Sequence, residues 1–349
     1  MKKCSFWLVF FLVFLFLPSA TVFSAPVSRM ELVMGTLLQI QADCDDPGAA
    51  QKAVDAAFRE ARRWDDLLSN YKDNSEISRV NREAYPESTV TKTDVVHFLS
   101  RAKDLSEATG GAFDITIEPL TLLWNLRGRK LTRVPEGKRI DRAKLKVNYR
   151  NLEIYSSDRS VRFLVRGMGI DTGGIGKGYA LDRALEKIKS FPLKSVAMNF
   201  GGEILYWSRE PGERTVAVTD PEDPEKTWGN LSVRIAGSAV VAVSTSASYE
   251  RFVTVEDGSA TKKLGHILDP KTGEPVDHEV RSVTVVSKNA AEADAFSTGI
   301  FVMGLEEGKK FAQKRKDILV LILYKNKEGN LESFMSEEWK NLIEDREMK

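Results

Sequence analysis

Asp171-Thr-Gly-Gly-Ile-Gly-Lys-Gly-Tyr-Ala180 joins an apolar strand ending in a carboxylate to the first turn of an amphipathic helix through a glycine-dense turn. Backbone N–H groups bared in such a turn, at a helix N-terminus, suit a phosphate group. A carboxylate at the same turn repels phosphate unless it serves a sugar, a ring edge or a cation. The stretch therefore predicts a phosphorylated ligand handled together with a metal ion, and its plain alternative is a strand-to-helix turn with no ligand. Two common phosphate templates fail here. Gly178 follows Lys177 where a Walker A loop needs Ser or Thr, and Gly174-x-Gly176-x-Gly178 is not the dinucleotide spacing.

Outward from that turn, Tyr179 to Ile188 carries Leu181, Leu185 and Ile188 at helical spacing. Upstream, Glu31 to Ala42 alternates as a first strand, and Pro47 to Leu68 places Ala50, Val54, Ala57, Phe58, Ala61 and Trp64 on one helical face. Ser69 to Glu76 reads as a polar loop. A second helix starts at Thr93 as N-cap and stops at Gly110-Gly111, which leads into a strand. Trp124 to Asp141, rich in Arg, Lys, Gly and Pro, reads as an exposed excursion. Leu152–Tyr155 and Val161–Val165 read as a hairpin around Ser157-Asp158. Short strands follow between Ser195 and Val286, then a helix from Ala290 to Met303, a further helix, strands near Ile318–Leu323 and Asn330–Phe334, and a short last helix. Helices and strands mix without strict alternation, which predicts an α+β fold over one domain, residues 26–349.

Lys2 and Lys3 precede an unbroken apolar run from Phe6 to Leu17, then Pro18 and small residues up to Ala25. That is the order of a secretory signal over residues 1–25. An uncleaved anchor is the alternative, since Phe6 to Phe23 approaches the ~17–25 residues that span a bilayer. Both place the folded part outside the cytoplasm, in the periplasm or on the outer face of the inner membrane. Cys44 is then alone in the mature chain, so the fold rests on its core rather than on an internal disulfide. With 51 Lys and Arg against 50 Asp and Glu and no basic stripe interleaved with aromatics, the sequence gives no reason to expect a nucleic-acid partner.

Three further stretches carry candidate chemistry. In Ala291-Glu-Ala-Asp294-Ala-Phe-Ser-Thr298 the Asp and Thr are four apart, so on a helix their oxygens face the same way one turn apart. A carboxylate with a neutral hydroxyl suits Mg²⁺, which takes hard oxygen ligands and completes its shell with water and phosphate oxygens. An exposed Asp and a Thr bonded back to its own helix is the plain alternative. His266, before the tight turn Asp269-Pro270 to Gly273, is the general-base candidate by position, or else a structural turn-capping residue. His97 and His278 read as bystanders. Asp114 can hold a ligand hydroxyl and Phe113 can stack a ring, or pack in the core.

Taken with Met34-Gly-Thr36, Leu68-Ser-Asn-Tyr71, Ser75 to Ser78 with Asn81, Thr109 to Thr116, Asn199-Phe-Gly-Gly-Glu203 and Ser244-Thr-Ser246 with Tyr249-Glu-Arg251, these stretches resemble the ApbE family of FAD:protein FMN transferases, in family order along nearly the whole mature chain. The resemblance implies mixed, largely antiparallel sheets with surrounding helices. It implies FAD contacts from Met34, Tyr71, Ala112, Phe113, Asp114, Asp171, Lys177 and Leu268. It implies Mg²⁺ on Asp294, Thr298 and the Gly174 carbonyl, and His266 as the transfer histidine. Acceptors in that family carry an Asp-x-x-[Ser/Thr]-Gly-Ala-[Ser/Thr] motif on membrane redox subunits of the Nqr and Rnf type. The activity implied is Mg²⁺-dependent transfer of FMN from FAD to a Thr or Ser hydroxyl with release of AMP. An FAD pyrophosphatase giving FMN and AMP, or a non-catalytic periplasmic FAD-binding protein, would use the same residues. The chain departs from the family at Ala247, where many members have Gly, and in lacking a lipobox. Some members also have Glu at the position of Lys177.

Overall fold

The first predicted strand is a hairpin. Val27–Val33 (β1) and Thr36–Asp43 (β2) pair antiparallel across Met34 and Gly35, whose φ values are 47° and 73°. The turn shifts the inward positions from odd numbers in β1, Val33 among them, to even numbers in β2, Leu38, Ile40 and Ala42, and the exposed apolar residues Leu32 and Leu37 hide that shift in the sequence pattern. The structure, a computed structural model, describes residues 25–128, 130–247, 252–257 and 260–337. The segment 1–24, Tyr249 to Arg251 and the last predicted helix lie outside these residues.

Pro47–Leu68 (α1) runs as its periodicity predicts, capped by Asp46, whose side chain accepts from the Gly48 N–H at 2.8 Å. Glu76–Glu83 (α2) is a short helix at the end of the polar loop, capped by Ser75. After Thr89–Val90 (β3) comes Thr93–Ala108 (α3). Thr93 is its first helical residue rather than its cap, because the Lys92 carbonyl already takes the amides of Val95 and Val96. The strand expected after Gly110-Gly111 is absent. Asp114 instead draws in the N–H groups of Thr116 and Tyr149, curling the chain into Glu118–Leu123 (α4).

The predicted excursion over 124–141 is largely exposed as expected and is corrected at its ends, where Trp124 and Ile140 are buried. It holds Lys130–Leu131 (β4) and leads into Gly137–Lys144 (α5), and Trp124 is buried with its indole N–H donating to the Gly273 carbonyl at 2.7 Å. Leu120, Trp124, Ile140, Ala143 and Leu268 form a small core of their own, so the polar composition covers one side of an apolar anchor. Leu152–Tyr155 (β5) and Ser160–Phe163 (β6) form the expected hairpin, joined by β3. Gly176–Ile188 (α6) follows the glycine turn.

The remaining strands are Ser195–Phe200 (β7), Glu203–Ser208 (β8), Gly212–Thr219 (β9), Thr227–Ile235 (β10), Val240–Ala247 (β11), Phe252–Asp257 (β12), Ala260–Gly265 (β13) and Val280–Ser287 (β14). Ala290–Lys314 (α7) precedes Leu319–Lys325 (β15) and Leu331–Met335 (β16). The two helices predicted after residue 290 are both present within α7: they meet at Gly304, directly after Met303, where φ 75° and ψ −174° are not helical.

Eight strands make one antiparallel sheet in the order β1-β2-β7-β8-β11-β14-β15-β16. Alternation along β11 and β15 divides its two faces. Ala242, Val320 and Ile322 join α1, α3, α6 and α7 in the main core, whereas Val241, Val243, Leu321 and Leu323 turn to the β9–β10 hairpin. Within the main core Tyr179 is met edge-on by Trp64 and Phe98 at 4.9 and 5.0 Å. The architecture is α+β, antiparallel except where β12 pairs with β4.

Candidate active site

Two helices crossing at a point of near contact build the floor of the site. A Cβ on Gly178 of α6 would stand 2.2 Å from the Ala290 carbonyl oxygen, so only glycine lets α6 meet the start of α7. Asp182, one turn on, accepts from the Ala290 and Ala291 amides at 2.8 and 2.9 Å and caps α7. Burial pushes its carboxyl up to about 6.

This junction sets Asp294 against the glycine turn. Its Oδ2 accepts from the Gly178 amide at 3.0 Å, and the Lys177 Nζ lies 3.9 Å from Oδ1 and 3.3 Å from Glu203 Oε1. Asp294 is 3% exposed, which excludes the exposed-Asp alternative. Burial pushes its carboxyl above the usual range, against the pull of the Lys177 charge and the Gly178 N–H. One turn along, Thr298 faces the same space, its Oγ1 3.3 Å from Ser246 Oγ. Ser246 continues through Ser297 to Ser244 at 2.9 and 3.0 Å. A Cβ on Gly174 would lie 3.3 Å from both Thr298 Oγ1 and Phe113 Cε2, so the turn presses on both.

The glycine turn spends several of the amides that were predicted to be bare. Gly173 donates to Asp171 Oδ1, Gly176 to the Thr172 carbonyl and Gly178 to Asp294. Gly174 and Gly178 serve close approach, and with several amides spent a phosphate here would draw more of its charge balance from cations. The segment leading in is not the predicted strand, since β6 ends at Phe163, and it is clamped by two side chains: Asn70 and Asn81 both donate to the Ile170 carbonyl, at 2.7 and 2.9 Å.

All twelve residues singled out from the sequence line one cavity of about 640 Å³, within the usual size of a small-ligand pocket. Met34 enters from the β1–β2 turn. Ala112, Phe113 and Asp114 come from the bend after α3; Asp171, Gly174 and Lys177 come from the glycine turn; Asp294 and Thr298 come from α7. His266 and Leu268 follow β13, held against α4 by the Trp124 bond to Gly273. Tyr71, 70% exposed, stands at the mouth. The Asp114 carboxylate is taken by its own chain, at 2.8 Å to the Thr116 N–H, 2.6 Å to the Thr116 hydroxyl and 3.0 Å to the Tyr149 N–H. Burial still pushes it up.

The sequence reading missed Glu118 and Arg127. Arg127 lines the cavity, its Nη2 bonded to Glu118 and 3.5 Å from Asp171 Oδ2. Burial and the Asp171 charge push the Glu118 carboxyl up to about 8. The available signal was a lone acidic residue inside the apolar run Ile115 to Leu123.

An α+β scaffold gathers a buried carboxylate, an ammonium group and linked hydroxyls around one cavity, a set of groups suited to a phosphorylated ligand. The sequence profile of the ApbE family matches residues 34–322, and the chain belongs to that family. It is 30% identical over 308 residues to a FAD:protein FMN transferase of Klebsiella pneumoniae (strain 342), covering 88% of this chain and 92% of the relative. It is 28% identical over 313 residues to a FAD:protein FMN transferase of Treponema pallidum (strain Nichols), covering 86% and 85%. Among solved structures, the ApbE protein of Thermotoga maritima superposes with TM-score 0.78 at 27% identity, over 92% of this chain and all of that one. The flavin transferase ApbE of Vibrio cholerae gives 0.74 at 25%, over 91% and 99%.

The donor set fits a hard cation. Among the described residues no three His, Cys, Asp or Glu gather into a metal site, so a cation here rests on one carboxylate, hydroxyls and the ligand's own oxygens. That is the donor chemistry of Mg²⁺ beside phosphates. A buried Asp294 is also the group that gains most from a positive neighbour.

Proposed function

We propose that this chain is a FAD:protein FMN transferase that moves the FMN half of FAD onto a Thr or Ser hydroxyl of a target flavoprotein and releases AMP. The observation that carries the reading is the single cavity in which Asp294, Thr298, Lys177 and His266 meet. In this reading residues 26–349 are the transferase domain, exported to the periplasm behind the N-terminal segment 1–25. The targets are subunits of membrane redox complexes of the Nqr and Rnf type. Among the described residues no helix is long and apolar enough to cross a membrane.

The reaction exchanges a phosphoanhydride bond for a phosphoester. The acceptor oxygen bonds to the FMN-side phosphorus of the diphosphate, the bridging oxygen leaves with AMP, and the hydroxyl proton passes to an imidazole nitrogen of His266. Such a step is mostly positioning and charge neutralisation. Asp294 and Thr298, with the Gly174 carbonyl, would hold Mg²⁺, which supplies positive charge to the diphosphate oxygens. Lys177 adds a second positive charge beside them. The walls at Phe113, Leu268 and Met34 exclude water from the phosphorus, which favours a protein hydroxyl over hydrolysis. The test is to incubate the chain with FAD, Mg²⁺ and an acceptor domain bearing the Thr motif, then weigh the acceptor. A gain of one FMN on that Thr is expected; an unmodified acceptor under conditions that consume FAD would refute transfer.

A further inference from the structure

Arg127 is built into the cavity wall in an unusual way. One nitrogen, Nη2, takes both of its carboxylates, Glu118 by direct contact and Asp171 Oδ2 at 3.5 Å. Among the described residues Nε and Nη1 donate to no acceptor. The guanidinium carbon lies 5.6 Å from the centre of the Tyr71 ring. Glu118 is buried and packs so closely that a Cβ on Gly169 would come within 2.7 Å of its Cγ. A buried carboxylate that cannot shift fixes the fork it holds.

Tyr71 carries a different constraint. Its ring is 70% exposed on the cavity rim, where an unsupported side chain turns freely. Arg127 approaches that ring by cation–π contact. The result is a flat surface of guanidinium and phenol, held from behind and open to the cavity. A planar heteroaromatic ring finds there a π-surface and unspent N–H donors at its edge.

We propose that Arg127 is a specificity-determining residue that, with Tyr71, forms a stacking platform for one of the two planar heteroaromatic rings of the bound dinucleotide. The proposal rests on the FAD reading of the cavity. Adenine and isoalloxazine share the required chemistry, and competition by the two halves of FAD tells them apart.

The test is FAD affinity by flavin fluorescence, with AMP and FMN as competitors, for the natural chain, Arg127→Met and Glu118→Gln. Arg127→Met keeps the length of the side chain and removes both charge and donors. It is expected to weaken FAD at least tenfold and to weaken one competitor, AMP or FMN, by a similar factor while sparing the other. Glu118→Gln leaves Arg127 only the more distant Asp171 and is expected to weaken FAD in the same direction by a smaller factor, about three- to fivefold. A folded Arg127→Met protein that binds FAD within twofold of the natural chain overturns the platform, as does an equal loss of both competitors. Should Arg127→Met not fold, Arg127→Lys replaces it. Lysine keeps the charge without the planar fork, and its unchanged FAD affinity overturns the proposal. Failure of the natural chain to bind FAD removes the functional reading itself, a result distinct from these.

Discussion

Asp294 is the side chain whose surroundings ask most for a cation. It is buried, its carboxyl is pushed up, and its nearest positive charge stands 3.9 Å away. Asp294→Asn keeps the acceptor for the Gly178 amide and removes the charge, so it is expected to lower transfer by at least about 100-fold and to abolish its Mg²⁺ dependence. Steady-state rates across a Mg²⁺ titration check this. His266 sits just past β13 and lines the same cavity. His266→Ala is expected to slow transfer by about 100-fold while FAD affinity stays within twofold; equal losses in both would assign it to binding. The spacing of Asp294 and Thr298 was legible because four residues on a helix is a local rule. Glu118 and Arg127 were not legible, because their meaning comes from Asp171, 44 positions beyond Arg127.

Among the elements, the contact of α6 with α7 decides whether that site exists. Gly178→Ala would force a Cβ against the Ala290 carbonyl, and is expected to cost about 3 kcal/mol of stability and with it Mg²⁺-dependent activity. Chemical denaturation of the variant measures the first part; a change under about 0.5 kcal/mol would mean the helices can separate at no cost. The boundaries of α1 and the β5–β6 hairpin were readable from periodicity and turn residues. The buried start of the excursion over 124–141 was not, since Trp124 finds its partner at Gly273, 149 positions away. The Gly178 amide was misread as bare for the same reason: its acceptor lies 116 positions downstream. Sequence pattern reports which residues want burial, and says little about which distant group will satisfy an amide.

Across the molecule as a whole, buried carboxylates set the response to pH. Burial and the Asp171 charge push the Glu118 carboxyl up to about 8 from its ordinary 4.5, and burial pushes Asp182 up to about 6 from 3.8. A carboxyl raised on folding favours the folded state below its ordinary value, and that contribution is lost as pH rises through the folded value. Thermal stability is therefore expected to fall from about pH 5 to about pH 9, and Glu118→Gln to flatten the upper part of that fall. Unfolding midpoints of both proteins across the range test it; parallel curves would contradict the assignment to Glu118. The family's α+β character was visible in the irregular order of helices and strands. The eight-stranded order was not, because β2 pairs with β7 across the whole helical insertion.

The central claim is that this cavity joins cleavage of FAD to modification of a protein hydroxyl. Its most direct measurement is the amount of AMP released against the amount of flavin covalently attached to the acceptor Thr in one reaction. Equal amounts are expected throughout the time course. AMP that accumulates while the acceptor stays unmodified would contradict the claim.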